Sequence, residues 1–212
     1  GQMLSTSTIY RAIRRGTFPG ISAHENLRRR GKNRNYVHHN TAISPTRLIP
    51  EWPDAIKARA RLGDFEGDTV YGGVGKGLLV TLVDRRSRFL LAGKLSSRNA
   101  AETREVIQRL LSGHTVRSIS LDNGTEFAEF RLLEEHVGAP VYFAEPHKPW
   151  QRGTNENTNG LLRFFFPKGY DFRTLSQAQL DVVVELLNAR PRKCLGWRTP
   201  AEVFFKDRVA LA

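Results

Sequence analysis

The chain has 212 residues, of which 40% are hydrophobic, and its formal net charge is +12. This length suits one medium-sized domain with an appendage, and this apolar content excludes a disordered tail. The single cysteine, Cys194, excludes an intrachain disulfide and a two-cysteine zinc finger, and it fits a reducing cytoplasm. No apolar run approaches membrane-spanning length and no signal peptide opens the chain, so we expect no membrane partner.

The basic charge is concentrated at the N-terminal end. Residues 1–63 contain 12 of the 33 basic residues but only 3 of the 21 acidic ones. This asymmetry indicates a nucleic-acid-binding arm on a nearly neutral globular body, and a merely basic soluble protein is the alternative. We therefore divide the chain into a basic arm with a linker, residues 1–62, and a core with a C-terminal helix and tail, residues 63–212.

The arm begins with a predicted helix over residues 3–15, which has a Ser/Thr start signal, an apolar face and Gly16 after it. The last helix of a helix-turn-helix module and an ordinary surface helix both have this pattern. The irregular segment that follows, up to the prolines of the linker, is rich in basic residues that we predict contact DNA phosphates. They are Arg28, Arg29, Arg30, Lys32 and Arg34, for which a solvated charge run is the alternative.

The core begins with three predicted strands joined by short, turn-rich segments, which indicate an antiparallel meander. These strands are Asp64–Tyr71, Leu78–Asp84 and Phe89–Leu95. Alternating helices and strands follow: Asn99–Leu111, Val116–Leu121, Phe127–His136, Pro140–Ala144, Thr154–Phe166 and Ser176–Ala189. The order βββαβαβαα predicts an α/β fold with a mixed five-stranded sheet flanked by helices, as in ribonuclease H-like domains.

Three carboxylates occupy distinctive places in this order. Asp68 lies inside the first strand, Asp122 follows the fourth strand directly, and Glu156 lies in the first turn of a helix. An acidic residue in a buried strand needs a partner, and ligands collect at the carboxyl ends of strands. We predict that the three converge and hold two Mg²⁺ or Mn²⁺ ions, because close carboxylates repel one another and oxygen ligands favour hard cations. Glu66, on the same strand face as Asp68, is a reserve ligand, and buried salt bridges are the alternative for each residue alone.

A cation lies near the predicted site along the chain. Arg163 comes seven residues after Glu156, which is almost two helical turns, so the two side chains share a helix face. Gly160 lies between them on that face and leaves room for a DNA backbone. We predict that Arg163 binds a DNA phosphate.

The loop before this helix is a second predicted DNA contact. Lys148 and Arg152 flank Trp150 there. Bases near a cleavage site can stack on such a ring, and a hydrophobic plug is the alternative for the tryptophan.

Several of these segments together resemble a known family. They are Phe65–Thr69, Leu121–Phe127, Pro146–Arg163 and Leu187–Phe204. They are similar to the DDE transposases of the IS-thirty insertion-sequence family, which have a retroviral-integrase-like catalytic core. The family's gap of 33 residues before the glutamate and its basic residue seven positions later are both present. Phe65 stands where the family commonly has tryptophan.

The resemblance implies both a reaction and its partners. Asp68, Asp122 and Glu156 would be the catalytic triad and hold Mg²⁺ or Mn²⁺. The enzyme would nick double-stranded DNA at the terminal inverted repeats of an element, and the freed 3′-hydroxyl would attack target DNA. We expect a homo-oligomer, at least a dimer on DNA, at the bacterial nucleoid. Family members carry N-terminal helix-turn-helix modules, of which we expect only the last helix here.

Two other functions remain open from the residues themselves. A ribonuclease H-like nuclease would cut without joining, and a non-catalytic DNA-binding relic would do neither. A general RNA-binding domain would have no need of the carboxylates.

Overall fold

A computed structural model describes residues 5–26, 43–146, 148, 151 and 153–209 of the chain. The chain divides into two compact units, residues 1–40 and residues 41–212. Within the described ranges, no helix is long and apolar enough to cross a membrane.

The first unit contains helix α1, Thr6–Arg14, and a single turn, α2, Ala23–Asn26. The Ser5 hydroxyl accepts a hydrogen bond from the Thr8 amide at 3.2 Å and caps the start of α1, as the Ser/Thr signal predicts. The predicted phosphate contacts Arg28, Arg29, Arg30, Lys32 and Arg34 lie outside the described residues.

The second unit is built on a five-stranded mixed sheet, which confirms the predicted fold. Its strands are β1 Asp64–Tyr71, β2 Leu78–Asp84, β3 Leu90–Leu95, β4 Ser118–Leu121 and β5 Val141–Phe143. The order across the sheet is β3-β2-β1-β4-β5. The first three strands pair antiparallel, as the meander predicts, while β4 runs parallel to both β1 and β5.

Helices cover both faces of this sheet. In chain order they are α3 Asp54–Lys57, α4 Ala100–Leu111, α5 Phe130–Val137, α6 Gly153–Phe165, α7 Gln177–Asn188 and α8 Pro200–Val209. One apolar cluster joins the sheet to α4, α5 and α8, and a second joins its other face to α6 and α7. Every residue of β2 is buried, which is why its sequence is almost continuously apolar.

The segment before the sheet is part of the core, and our prediction of a linker there was wrong. Ile49, Trp52 and Ile56 are buried and pack with Tyr142 of β5 and with Ala144. Pro50 lies in the first turn of a short 3₁₀ helix and Pro53 directly precedes α3, so the prolines here begin short helices and a turn-rich composition does not mean an exposed connection.

Helix α8 is the element that the sequence analysis missed. Its apolar residues do not repeat on one face, so periodicity gives little signal. The start signal was present, however. The Thr199 hydroxyl and Glu202 carboxylate accept hydrogen bonds from each other's amides at 3.1 and 2.9 Å, and Pro200 occupies the first helical position.

Candidate active site

Asp68 lies on β1, and Asp122 directly follows β4, the parallel strand beside it. The parallel register pairs Asp64 with Ser118 and Glu66 with Ser120, and extending it by two residues, past the end of β4, would align Asp68 with Asp122. Adjacent strands lie about 4.8 Å apart, so the two aspartates emerge side by side where β4 ends. Both are partly exposed. This edge of the sheet is the usual place for a ligand in an α/β fold.

The turn after β4 brings a fourth carboxylate to the site. A Cβ added at Gly124 would lie 2.7 Å from Glu126 Oε2 and 2.9 Å from Asp122 Oδ1, so the two carboxylates approach each other across this glycine. Asp122 Oδ1 accepts a hydrogen bond from the Gly124 amide at 3.0 Å. The buried Glu126 accepts one from the Thr69 hydroxyl at 2.8 Å, which links the turn to β1 beside Asp68.

A buried ion pair holds the start of α6 against β1. Glu66 is completely buried and pairs with Arg85, whose guanidinium lies 3.9 Å from the Trp52 ring centroid. The same carboxylate accepts hydrogen bonds from the Thr154 hydroxyl at 2.9 Å and the Asn155 amide at 3.3 Å. Glu66 therefore anchors α6 through its first turn. It does not join Asp68 as a metal ligand, because its oxygens are already used.

One flank of α6 faces Asp68. The Asn159 side-chain amide donates to Asp68 Oδ2 at 2.7 Å, and its oxygen accepts from the Thr81 hydroxyl at 3.3 Å. Glu156 comes one helical turn earlier on the same flank, and its side chain is exposed. Among the described residues, no three or more His, Cys, Asp or Glu side chains are grouped closely enough to hold a metal ion. Convergence of the complete triad therefore stays a prediction.

Arg163 shares the flank of Glu156, but part of its guanidinium is already engaged. Its Nη2 donates to the Tyr71 carbonyl oxygen at 2.8 Å, while Nη1 is buried and has no hydrogen-bond partner in the described part of the chain. Burial lowers the pKa of this guanidinium, which nevertheless stays charged at neutral pH. An anion approaching this flank would meet a cation that is fixed in position at the end of β1.

The loop before α6 is organised by Glu145. Its carboxylate accepts from Lys148 Nζ at 2.5 Å and from Gln151 Nε2 at 2.8 Å, and the bond from Lys148 lowers the pKa of Glu145. In the absence of DNA, Lys148 therefore forms an ion pair with Glu145. Trp150 and Arg152 lie outside the described residues.

The donor set suits a hard divalent cation. Asp68 and Asp122 offer carboxylate oxygens at one edge of the sheet, where the Asn159 side-chain amide and the Gly124 backbone amide hydrogen-bond to them, and Glu156 is the predicted third ligand on the adjoining helix. Mg²⁺ and Mn²⁺ prefer such all-oxygen ligands.

The sequence did not predict a role for two residues near this site. Asn159 and Glu126 stood inside the recognised motifs, but nothing in the residue pattern assigned them a partner. The distance along the chain explains this, because Asn159 contacts a residue 91 positions away and Glu126 a residue 57 positions away. The usable signal for Asn159 was its spacing of one helical turn from Glu156.

Comparison with known proteins agrees with this architecture. Residues 59–149 match the family model of the integrase core domain. The chain is 36% identical to the transposase of insertion sequence element IS4351 from Bacteroides fragilis, over 95% of this chain and 64% of that protein. It is 40% identical to the transposase InsI of insertion sequence element IS30A from Escherichia coli K12, over 70% of this chain and 39% of that one. The chain therefore spans less than two thirds of the length of each of these curated relatives.

The fold also matches a solved structure, the catalytic core domain of BIV integrase. The TM-score is 0.57 and the sequence identity 20%, and the match covers 70% of this chain and 97% of that one. At this identity the likeness concerns the fold alone. The sequence matches are more specific, and together with the integrase core model they relate this chain to insertion-sequence transposases such as those of IS4351 and IS30A.

Proposed function

We propose that the chain is the catalytic part of a DDE transposase that cuts and joins DNA at the ends of an insertion sequence. The observation that carries this proposal is that Asp68 lies on β1 and Asp122 directly after the parallel neighbour β4, while Asn159 hydrogen-bonds Asp68 from the helix that bears Glu156. The sequence relatives that are named as transposases support the reaction class.

Asp68, Asp122 and Glu156 would hold the divalent metal ions that this family generally uses. We propose two Mg²⁺ or Mn²⁺ ions, which when bound supply activation of the attacking oxygen and stabilisation of the leaving oxygen. The hydrogen bond from Asn159 to Asp68 Oδ2 would fix the orientation of this carboxylate. The Gly124 amide orients Asp122 in the same way. This pre-arranged geometry lowers the cost of assembling the reactive complex.

The reaction consists of two displacements at phosphorus. In the first, a water oxygen attacks a phosphodiester at the element end, the bond from phosphorus to the 3′-oxygen breaks, and a 3′-hydroxyl is released. In the second, that hydroxyl oxygen attacks a phosphodiester of target DNA and displaces its 3′-oxygen, which joins the strands. Neither displacement transfers electrons or forms a covalent bond to the protein. The side chains therefore have only to bind and orient the DNA and to let the proton of the attacking hydroxyl or water pass to solvent.

The DNA substrate requires cationic contacts around this edge. We propose that Arg163 and the loop residues Lys148, Trp150 and Arg152 contact DNA near the cleaved bond, and that Arg28, Arg29, Arg30, Lys32 and Arg34 bind phosphates farther away. For Lys148, DNA would compete with Glu145. We also propose that the protein acts at the bacterial nucleoid as a homo-oligomer, at least a dimer, because paired ends require two active sites.

The central test is Asp122→Asn. We expect it to abolish Mg²⁺-dependent nicking of DNA that carries the inverted repeats flanking the gene, with the melting temperature unchanged, because the amide removes one metal-binding charge. Asp54→Asn, at a fully exposed position of α3, is the matched control and should nick normally. Normal nicking by Asp122→Asn would disprove the assignment.

A second assay separates the proposed reaction from its alternatives. Duplex DNA with a pre-cut 3′ end should be joined to a target by a transposase, whereas a nuclease without a joining step would leave it unjoined. A relic would show neither reaction and no Mn²⁺ binding that depends on Asp68 or Asp122.

A further inference from the structure

A cavity of about 210 Å³ lies on the flank of α6 that faces away from Glu156. On the helix it is lined by Gly153, Asn157 and Leu161, which are spaced four apart and so form one stripe. Glu156 and Asn159 lie on a different side of the helix, on average roughly 100° and 150° around its axis from these three residues at 3.6 residues per turn. The cavity is therefore separate from the candidate active site.

Three arginines from distant parts of the chain meet in this cavity. Arg59 follows α3, Arg88 lies in the turn between β2 and β3, and Arg192 lies between α7 and α8. No acidic residue lines the cavity within the described ranges, and none of the three guanidiniums forms an ion pair with a described carboxylate. Glu66, which accepts a hydrogen bond from the lining residue Thr154, is already paired with the buried Arg85. The cavity thus concentrates positive charge that the described part of the protein does not neutralise.

Each of these arginines is held in place and still has donors to offer. Arg59 Nη1 donates to the Arg85 carbonyl oxygen at 3.2 Å, Arg88 Nη1 to the Thr154 hydroxyl at 3.0 Å, and Arg192 Nη2 to the Leu187 carbonyl oxygen at 3.1 Å. A guanidinium has five N–H donors, so each side chain uses a minority of them. Arg192 Nε is buried without a hydrogen-bond partner in the described structure.

The surroundings also favour an anion. Gly153 and Thr154 begin α6, and the N-terminus of a helix carries partial positive charge. Arg59 and Arg88 adopt positive φ angles of 55° and 65°, a conformation that costs free energy for a residue other than glycine. Burial and the neighbouring charge of Arg190 lower the pKa of Arg192. An anion beside this guanidinium would favour its charged form.

We propose that this three-arginine cavity binds a phosphate group, and that in the working protein the phosphate belongs to the backbone of DNA passing behind α6. The DNA source rests on the proposed transposase function, while the phosphate chemistry does not. Guanidinium groups bind phosphate oxygens through paired hydrogen bonds, and three of them converge here. A DNA strand bound at this cavity would contact α6, the helix that carries Glu156. The cavity would therefore position the substrate without contacting the reacting atoms.

The test measures DNA binding in EDTA, where no cleavage occurs. The salt dependence of duplex binding should become less steep in Arg59→Gln and in Arg192→Gln, by at most about one unit of log–log slope in each, because each variant weakens the contact to the one phosphate in the cavity. Arg192→Lys should retain most of the slope. Arg109→Gln, which removes the same charge from an exposed position of α4, is the matched control and should leave the slope unchanged.

A second arm identifies the source of the phosphate. The melting temperature is measured in inorganic phosphate and in chloride at equal ionic strength. If the cavity takes free phosphate, phosphate should raise the melting temperature of the wild-type chain more than that of Arg192→Gln. A slope change without this thermal effect assigns the site to DNA, and the thermal effect alone assigns it to free phosphate. Unchanged slopes together with equal thermal shifts, or an equal slope change in Arg109→Gln, would overturn the proposal. Neither readout depends on nicking, so a failure of the proposed reaction would be seen separately.

Discussion

At the scale of single residues, Gly124 shows how closely the candidate active site is packed. Its φ is −68°, so its backbone does not require glycine. The requirement is steric, because a Cβ would lie within 3 Å of both the Glu126 and the Asp122 carboxylates. The glycine lets the turn after β4 bring Glu126 to Thr69 while Asp122 stays aligned with Asp68.

Gly124→Ala should therefore damage activity more than stability. The atoms that a methyl group would meet are the ends of flexible side chains, which can move at little cost to folding. Displacing Asp122 by about 1 Å can nevertheless slow a reaction on the order of 100-fold. We expect a nicking rate lowered at least tenfold and a melting temperature within about 3 °C of wild type.

Gly160→Ala is the matched comparison for folding, since nothing lies within 4 Å of that position and alanine favours the helix. Nicking by Gly124→Ala at the wild-type rate would show that the tight approach across this turn has no catalytic role.

Asn159 is the other informative residue. It contacts Asp68 on β1 and Thr81 on β2, so one amide links the helix to two strands. Because an amide donates to the carboxylate without competing for a cation, it can orient Asp68 and leave its charge available.

At the scale of elements, α6 owes its position to a buried charge pair. Glu66 and Arg85 are both buried, and the Glu66 carboxylate also accepts hydrogen bonds from two residues in the first turn of α6. Burial lowers the pKa of Arg85, while the charge of Glu66 opposes that shift. Replacing one partner of such a pair lowers the stability of the fold strongly, because the remaining charge stays buried without a partner.

Arg85→Met should lower the free energy of unfolding by about 3–5 kcal/mol, measured by urea denaturation. The double variant Glu66→Gln with Arg85→Met should recover a large part of this loss, because no charge is then buried alone. If the double variant is as unstable as the sum of both single variants, the two side chains are not coupled and the anchoring of α6 has another cause.

At the scale of the whole molecule, the sheet separates two apolar clusters and the chain forms two compact units. Residues 41–212 contain both clusters and all three acidic residues of the predicted triad. Residues 1–40 contain eight of the 33 basic residues and one of the 21 acidic ones. Stability and DNA affinity should therefore depend on different parts of the chain.

A chain of residues 41–212 should melt within about 3 °C of the full chain, because the core lies within it. Its affinity for duplex DNA should fall, with a salt dependence less steep by several units, because the arginine-rich arm is lost. Calorimetry and a salt titration would measure the two effects. Equal DNA affinity for both chains would show that the arm contributes no phosphate contacts.

Much of this organisation was determined by the sequence alone. Apolar periodicity placed all five strands and the helices α4 to α7 within a few residues, because each element buries a face that its own residues define. The motifs around Asp68, Asp122 and Glu156 were sufficient to indicate the integrase-like family. These signals are local, or they depend only on spacing along the chain.

The partners of individual side chains were decided only by the tertiary structure. Glu66, a reserve metal ligand from its strand position, pairs with Arg85, and Asn159 orients Asp68. The prolines before the sheet indicated a linker, yet Trp52 packs under Arg85. Arg59, Arg88 and Arg192 have nothing in common along the chain but line one cavity. The physical reason is that a charged or polar group is stabilised by whichever groups the fold brings next to it, and that proximity has no local pattern.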